Sequence, residues 1–566
     1  MDKRWSPIPE ADAQEVKQLG ADLNISLKLA QILCQRGIKS FQEAKQFFRP
    51  KLADLHNPFL MKDMLSAVNL LGSAMEEGKK ILIYGDYDVD GTTAVALVYG
   101  YLKQYGAQVE FYIPDRYKEG YGVSMEGIDY CIKNSVDLLI TLDCGIKAIN
   151  TLEKAAQAGI KIIVCDHHLP GESLPPADAI LNPKQANCPY PFKELCGCGV
   201  GFKLLQGLAK QYDLEKEILY HHIDLVAIAT AADIVPMVGE NRVLTALGLK
   251  QLNKGLRPGI NAMLQGTRSD NRLGVSELVF FIAPRINAAG RIFHGKEAVK
   301  LLSAGDEKSA ELAQQLQSLN DERKTLDRSI AEEALNQIIE QLEKNNTTVV
   351  YQEDWHKGVV GIVASRLTEN YYRPTVVMCK AEGKITGSVR SVEGFDVYQA
   401  LRGCADLLEQ FGGHTSAAGL TMQEENLDAF RMRFEEVVSQ QINPELLIPQ
   451  VHYDCELDFK DVDPKFYRIV EQMAPFGPEN LRPQFLFKNV QDTGFAKIVG
   501  ENHLKMNLFQ EEWDHKKMPA IAFKLGQHIE MVKTKQPFHV IASIEENHWN
   551  GRSSLQLVVK DIKQTL

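Results

Sequence analysis

Residues 79–93 read KKILIYGDYDVDGTT: an apolar run, a glycine, aspartates at 86, 88 and 90, and a second glycine at 91. The run has the length of a buried strand. The order of strand, acidic turn and amphipathic helix then repeats along QVEFYIPD, MEGIDYCIKNS, VDLLITLDCG, IKAINTLEKAAQAG and IKIIVCDHH. Fully apolar strands alternating with helices of roughly ten to fifteen residues predict a parallel sheet covered on both faces, a doubly wound α/β domain. Ligands bind such sheets beyond the carboxyl ends of the strands, so GDYDVDG, LDCG and CDHH are expected along one edge. Further on, HHIDLVAIATAADIVPM reads as a helix that delivers one more carboxylate, Asp233.

Three chemistries compete for the opening motif. In an EF-hand calcium loop, position twelve supplies a bidentate glutamate between two helices; counted from Asp86 that position is Leu97, and a strand precedes it. The pentapeptide DVDGT also copies the signature of haloacid-dehalogenase-like phosphatases, which would make Asp88 a covalent nucleophile and leave CDHH without a role. The third reading makes the carboxylates ligands of two divalent cations. Asp88 and Asp90 come from the first strand end, Asp143 can bridge, and His167 and His168 join from the next. A mixed Asp/His set suits Mn²⁺ or Mg²⁺ better than a thiolate zinc site. Two such ions activate a water and offset charge in phosphoryl hydrolysis. Taken singly, a strand-end aspartate is an ordinary helix cap and adjacent histidines ordinarily face solvent. Together at successive strand ends, they favour the metal pair.

Bulk properties agree with a soluble enzyme. The chain has 566 residues, 45% hydrophobic and 24% charged, enough for several domains with real cores. Its apolar runs fall short of the roughly 20 residues of a membrane helix, and MDKRWSPIPEADAQEV carries no signal-peptide core, so a cytoplasmic protein is expected. The ten scattered cysteines suit a reducing compartment, and the spacing of Cys188, Cys196 and Cys198 fits no common zinc site. A net charge of −11 argues against a protein that coats nucleic acid by bulk charge. It leaves room for a nuclease with carboxylates massed around cations and a local basic groove.

The expected divisions are an N-terminal helical extension at 1–45, the doubly wound α/β domain at 46–305 and a connecting helix at 306–345. A smaller α/β domain follows at 346–443, and an antiparallel barrel of oligonucleotide-binding type at 444–566. The connector rests on apolar residues spaced from Leu312 to Leu342 among many charges, and the barrel on short strands such as QFLFKNV and FHVIASIEEN with frequent turns.

GDYDVDG, TLDCG, CDHH and ATAADIVPM resemble the successive motifs of the DHH phosphoesterase superfamily. APRINAAGR, GVVGIVASRL, ITGSVRS and FGGHTSAAG resemble further blocks of its RecJ branch, single-strand-specific 5′→3′ DNA exonucleases of bacterial repair and recombination. The resemblance runs in order from about residue 45 to the C-terminus. It implies a DHH domain, a DHH-associated domain and an oligonucleotide-binding barrel.

It also implies that Asp88, Asp90, Asp143, His167 and Asp233 bind two Mn²⁺ or Mg²⁺ ions. His168 would contact the scissile phosphate or support the leaving oxygen, with Asp86 in support. Arg116, Ser388 and Arg390 match positions that hold a 5′-terminal phosphate, Arg285 and Asn287 positions along the strand, and His414 a phosphate contact of the second domain. Lys524, Trp549 and Arg552 are candidate barrel contacts. One departure concerns Tyr84, where many superfamily members place a histidine ligand. A monomer working with single-strand-binding protein and a helicase on single-stranded DNA is the implied context. The rival within the same fold is a phosphodiesterase of short oligonucleotides or cyclic dinucleotides, or a pyrophosphatase.

Overall fold

The first sheet has five strands in the order Val109–Tyr112, Ile81–Gly85, Leu138–Leu142, Lys161–Cys165, Ala179–Leu181. All four seams are parallel. Ile81–Gly85 and Leu138–Leu142 are buried along their whole length, which is why neither shows polar alternation in sequence. Helices Met125–Lys133 and Ile149–Gln157 supply Ile128, Cys131, Leu152 and Ala155 to the core on one face, against Leu82, Tyr84 and Leu139. Helices Val89–Gln104 and Gly197–Gln211 pack on each other over the opposite face. Sequence order and spatial order part company between Ile81–Gly85 and Leu138–Leu142, so the topological switch point falls where Asp86 and Asp143 leave the sheet.

The computed structural model describes residues 3–265, 272–339, 345–513, 515–549 and 552–565; the side chains of residues 513, 549 and 552 lie outside the description, as does Leu342. The chain divides into two units. One holds residues 5–283, 298–310 and 450–566, the other 1–4, 284–297 and 311–449. No helix among the described residues is long and apolar enough to cross a membrane.

The first unit also contains the barrel and the N-terminal helices. Strands Phe485–Asp492, His503–Gln510, Met518–Ala522, Arg552–Gln564 and Phe538–Trp549 pair in that order and close back on the first. Of these five seams, only that between Met518–Ala522 and Arg552–Gln564 is parallel. Helices Ala13–Leu23, Leu27–Gln35 and Phe41–Phe48 do not form a separate extension: Leu19, Ile32 and Leu33 belong to the same buried cluster as Phe459, Phe485 and Val540 of the barrel region. A buried ion pair, Arg36 Nη1 to Asp454 Oδ1 at 2.9 Å, fixes the junction.

Arg242, on helix Gly239–Lys254, ties these parts to the α/β core. Its buried guanidinium donates to the carbonyls of Phe47 (3.1 Å), Met473 (2.7 Å), Ala474 (3.0 Å) and Pro475 (3.2 Å), with the Phe47 ring 3.7 Å away. Burial, then repulsion from Arg36, pushes its pKa down to about 9.

In the second unit the sheet order is Gln410–Gly413, Ala417–Met422, Lys384–Arg390, Thr375–Ala381, Thr348–Tyr351, antiparallel except for the last seam. Helix Val360–Tyr371 covers Thr375–Ala381 and Lys384–Arg390. The long helix expected over 306–345 runs Asp306–Ile338, and residues 340–344 of that expectation lie outside the described residues.

Arg242→Met leaves buried carbonyls unpaired and is expected to cost at least about 1–3 kcal/mol of stability. Urea unfolding measures the loss, and amide exchange should rise first at 44–48 and 473–478.

Candidate metal centre

The first strand ends at Gly85 and the next helix begins at Val89, so the aspartates of the opening motif occupy a turn and a helix start. Asp86 is 1% exposed; Oδ1 accepts the Gly122 N–H at 3.4 Å, and Oδ2 has no hydrogen-bond partner. Asp88 caps the helix, accepting the Gly91 N–H at 3.0 Å. Gly91 lies against Asp86: a Cβ there would fall 2.4 Å from the Asp86 carbonyl oxygen, so the motif's second glycine is needed for close approach inside the helix. Asp90 turns inward from the first helical turn. Both its oxygens are held by amides at the start of helix Gly197–Gln211, Gly197 N–H at 2.6 Å and Cys198 N–H at 2.7 Å. The positive end of that helix favours the anion.

Asp143 follows the third strand in a left-handed conformation, φ 59°, with its N–H bonded to the Cys165 carbonyl at 2.9 Å. His167 stands at the hub. Its Nε2 lies 3.1 Å from Asp143 Oδ1, 3.7 Å from Asp233 Oδ2 and 3.8 Å from Asp90 Oδ2. Burial, then the neighbouring His168 charge, pushes the His167 pKa down to about 3, so the ring is neutral and these contacts are not ion pairs. A neutral imidazole nitrogen facing three carboxylates has the chemistry of a set that could hold a metal ion.

His168 is built differently. Its Nδ1 lies 2.8 Å from Asp166 Oδ1 and its Nε2 3.1 Å from the Tyr121 hydroxyl. Burial opposes its charge, but the bond to Asp166 and that carboxylate's charge outweigh it and raise the pKa. Burial likewise opposes the charge of Asp166, and the His168 ring outweighs it with help from the N–H groups of Ile146 (2.9 Å), His167 (2.7 Å) and His168 (3.1 Å), so its pKa is held down. Asp166 and Tyr121 were missed in the sequence. Asp166 stands inside the quoted CDHH, and Tyr121 between the two glycines of GYG; those were the available signals.

Among the described residues two groups could hold a metal ion, Asp90/His167/Asp233 and Asp143/His167/His168, each with its donor atoms within 4.8 Å of one another. Asp86 and Asp88 are in neither. The donors fit divalent cations. Burial and mutual repulsion raise the pKa of Asp86 and Asp143 well above the usual carboxylate range, that of Asp90 to about 7 and that of Asp233 to about 9. Asp86 Oδ2 and Asp143 Oδ1 are buried without hydrogen-bond partners, which a cation would satisfy. Tyr84 is fully buried with its hydroxyl on the Gly122 carbonyl at 2.9 Å, outside both groups. Arg116 lies 4.9 Å over the Tyr87 ring, and its charge acts on Asp86.

Of the remaining expected residues, Lys524, Trp549 and Arg552 lie in the barrel of the first unit, and the others belong to the second. Arg390 donates to Ser388 Oγ at 2.8 Å and to Ser365 Oγ at 3.1 Å. Gly361, in the first turn of helix Val360–Tyr371, faces both Ser388 and Arg390: a Cβ there would come within 3.1 Å of Ser388 Oγ and 3.2 Å of Arg390 Nη2. Arg285 is 5% exposed and bonds Gln317 Oε1 at 2.7 Å, Asn287 is half-buried, and His414 is exposed in the turn before Ala417–Met422.

Comparison with known proteins gives three family matches: the DHH family N-terminal domain over residues 80–230, the DHHA1 domain over 344–440 and the RecJ OB domain over 453–561. The chain is 36% identical over 563 residues to the single-stranded-DNA-specific exonuclease RecJ of Bacillus subtilis, covering 99% of this chain and 70% of that protein. It is 32% identical over 583 residues to RecJ of Escherichia coli, covering 99% of each. The crystal structure of RecJ from Thermus thermophilus in complex with Mn²⁺ superposes with a TM-score of 0.85 at 28% identity, over 100% of this chain and 80% of that one. The Mg²⁺ complex from the same organism gives 0.78 at 27% identity, over 100% and 79%.

Because folded-state pKa values here are raised, the protonated carboxyls stabilise the metal-free fold at low pH, and that contribution is lost as pH rises through about 7 and about 9. Chelator-stripped protein should therefore show a falling Tm across that window. Added Mn²⁺, which needs deprotonated ligands, should restore more Tm at the alkaline end than at the acid end. Thermal scans with and without Mn²⁺ measure both.

Proposed function

The chain belongs to the RecJ family of single-stranded-DNA-specific exonucleases, and from that premise we propose how its residues divide the work. The enzyme is a metal-dependent phosphodiesterase that removes nucleotides from single-stranded DNA in the 5′→3′ direction, in DNA repair and recombination. The observation that carries this reading is the His167 Nε2 placed 3.1, 3.7 and 3.8 Å from carboxylate oxygens of Asp143, Asp233 and Asp90 at the topological switch point. Two Mn²⁺ or Mg²⁺ ions held there would supply an activated water and offset the charge of the scissile phosphate. Asp88, Asp90, Asp143, His167 and Asp233 are the proposed ligands, with Asp86 supporting them.

His168, oriented by Asp166, presents Nε2 beside the Tyr121 hydroxyl and is proposed to hydrogen-bond the scissile phosphate or the leaving oxygen. Arg116 in the first unit is proposed to bind the 5′-terminal phosphate. Ser388 and Arg390 in the second unit are proposed by themselves as a terminal-phosphate group, since a guanidinium, a hydroxyl and a helix start are an anion-binding set. Fixing the terminal phosphate measures off the first linkage, which makes the cut exonucleolytic. His414 is a proposed phosphate contact, and Arg285 and Asn287 are proposed to line the path of the strand, Arg285 with its side chain bonded to Gln317.

The barrel is proposed to hold the trailing DNA. Phe495 (45% exposed) and Phe523 (56%) stand out from it, with Lys497 over the Phe495 ring at 5.0 Å and His503 edge-on to Phe523 at 5.2 Å. Strand pairing places Lys497 opposite Lys505, next to that pair on the face of Lys497–Val499 and His503–Gln510. Aromatics interleaved with cations suit sequence-tolerant stacking of bases. This surface also weighs against the rival substrates, since dinucleotides need no such platform.

The ten cysteines are unpaired, which supports a cytoplasmic location. A monomer acting beside single-strand-binding protein and a helicase completes the proposal.

The test is 5′-phosphorylated single-stranded DNA with Mn²⁺. Mononucleotides should leave from the 5′ end, and Asp143→Ala should lower the rate more than about a hundredfold, beyond the loss of a residue that merely orients a ligand. Release from the 3′ end, or hydrolysis of dinucleotides alone, would overturn the assignment. Phe495→Ala and Phe523→Ala should each weaken binding of long strands by about tenfold, while hydrolysis of trinucleotides stays unchanged; fluorescence anisotropy measures the former.

A further inference from the structure

We propose that Tyr84, Ser124 and Glu119, the first two buried and the third half-buried, form a clamp that positions the loop carrying Arg116 and Tyr121, making Tyr84 a positioning residue for substrate rather than part of the metal set. Alternation along Ile81–Gly85 sends Tyr84 and Leu82 to the same face of the sheet, into the core beneath helix Met125–Lys133. There the Tyr84 ring is fully buried and stacked on Tyr112 at 5.3 Å. Its hydroxyl donates to the Gly122 carbonyl at 2.9 Å and accepts the Ser124 N–H at 3.1 Å.

Glu119 closes the other side. Its Oε2 accepts Tyr112 Oη at 2.9 Å and Ser124 Oγ at 2.5 Å, and its Oε1 accepts the Asp115 N–H at 2.7 Å. Both ends of the 115–124 loop are therefore bonded to one network. Gly120 and Gly122, with φ of 82° and 85°, reverse the chain on either side of Tyr121. At Gly122 the reversal aims the carbonyl at Tyr84 while the amide reaches Asp86 Oδ1 at 3.4 Å. The loop is thus tied to a core tyrosine and to a carboxylate of the opening motif.

What the loop presents is the consequence. Arg116 lies over Tyr87, and Tyr121 reaches from the loop to His168 Nε2. A shift of the loop would move the guanidinium and the phenol together, while Asp143 and His167 follow other strands, Asp90 sits in a helix's first turn and Asp233 at the end of helix Ile223–Ala232. The clamp acts first on substrate capture, since the bonds of Tyr84, Ser124 and Glu119 go to the loop and to Tyr112, not to Asp90, Asp143, His167 or Asp233. This step rests on the assignment of Arg116 to the 5′-terminal phosphate.

The experiment compares wild type, Tyr84→Phe, Glu119→Gln and Arg116→Ala. KM and kcat are measured on 5′-phosphorylated and 5′-hydroxyl single-stranded DNA, Mn²⁺ affinity by titration calorimetry, and amide exchange over 115–124. Tyr84→Phe keeps the ring and its packing, so the fold is retained. Tyr84→Phe and Glu119→Gln should raise KM for the phosphorylated strand at least fivefold and speed exchange in the loop, with Mn²⁺ affinity and kcat within twofold of wild type. Unchanged loop exchange in both variants would overturn the clamp, and so would a parallel loss of Mn²⁺ affinity in Tyr84→Phe. If Arg116→Ala leaves the preference for a 5′-phosphate intact, the phosphate assignment fails by itself, and the exchange result still decides the clamp.

Discussion

Mutual repulsion among buried carboxylates is the constraint around which the catalytic end of the sheet is arranged. Asp86, Asp90, Asp143 and Asp233 all have raised pKa values, with burial the largest cause and neighbouring aspartates the next. Left to itself such a set prefers to be protonated, and the fold resists this most directly at Asp90, which takes two amides from the helix at Gly197. The remaining charge calls for cations, and the need for them follows from carboxylates in low dielectric rather than from any motif.

The doubly wound sheet makes that arrangement reachable. A parallel strand order with its switch between Ile81–Gly85 and Leu138–Leu142 brings Asp86 and Asp143 out side by side from segments more than fifty residues apart. The next strand adds Asp166, His167 and His168 at the same edge, and a helix, Ile223–Ala232, ends one residue before Asp233. Strands that are buried along both faces cannot carry these charges themselves. The acidic residues therefore sit in the turns, where the backbone can take the left-handed form seen at Asp143.

That logic explains what could be read from the sequence. Apolar runs and helix periods are local, so the sheet, the long helix and the barrel were legible, and strand-end carboxylates could be placed once the strands were. Residues whose role depends on distant partners were not. Asp166 looks like another acidic neighbour of two histidines until four donors are seen converging on it. Nothing in MDKRWSPIPEADAQEV or the helices after it says that Leu19 and Leu33 complete the core of a barrel more than four hundred residues away. Arg242 donates to backbone carbonyls, which every residue carries, so no residue type in the sequence points to its partners.

The adjacent histidines show how far environment, rather than residue type, sets function. His167 is buried and loses its proton readily, which frees a lone pair toward Asp90, Asp143 and Asp233. One residue on, His168 gains the Asp166 carboxylate on Nδ1, and the resulting bond raises its pKa despite burial. Two imidazoles in one dipeptide are thereby driven in opposite directions, one by burial and the other by a carboxylate bonded to its ring. Asp166 favours His168 because its backbone position lets Oδ1 reach that ring while also bonding the amides of His167 and His168, fixing the turn that carries both side chains. A metal ligand must offer a free lone pair and a donor to an anionic phosphate must keep its proton, so the opposite directions of the two shifts fit the roles proposed for His167 and His168.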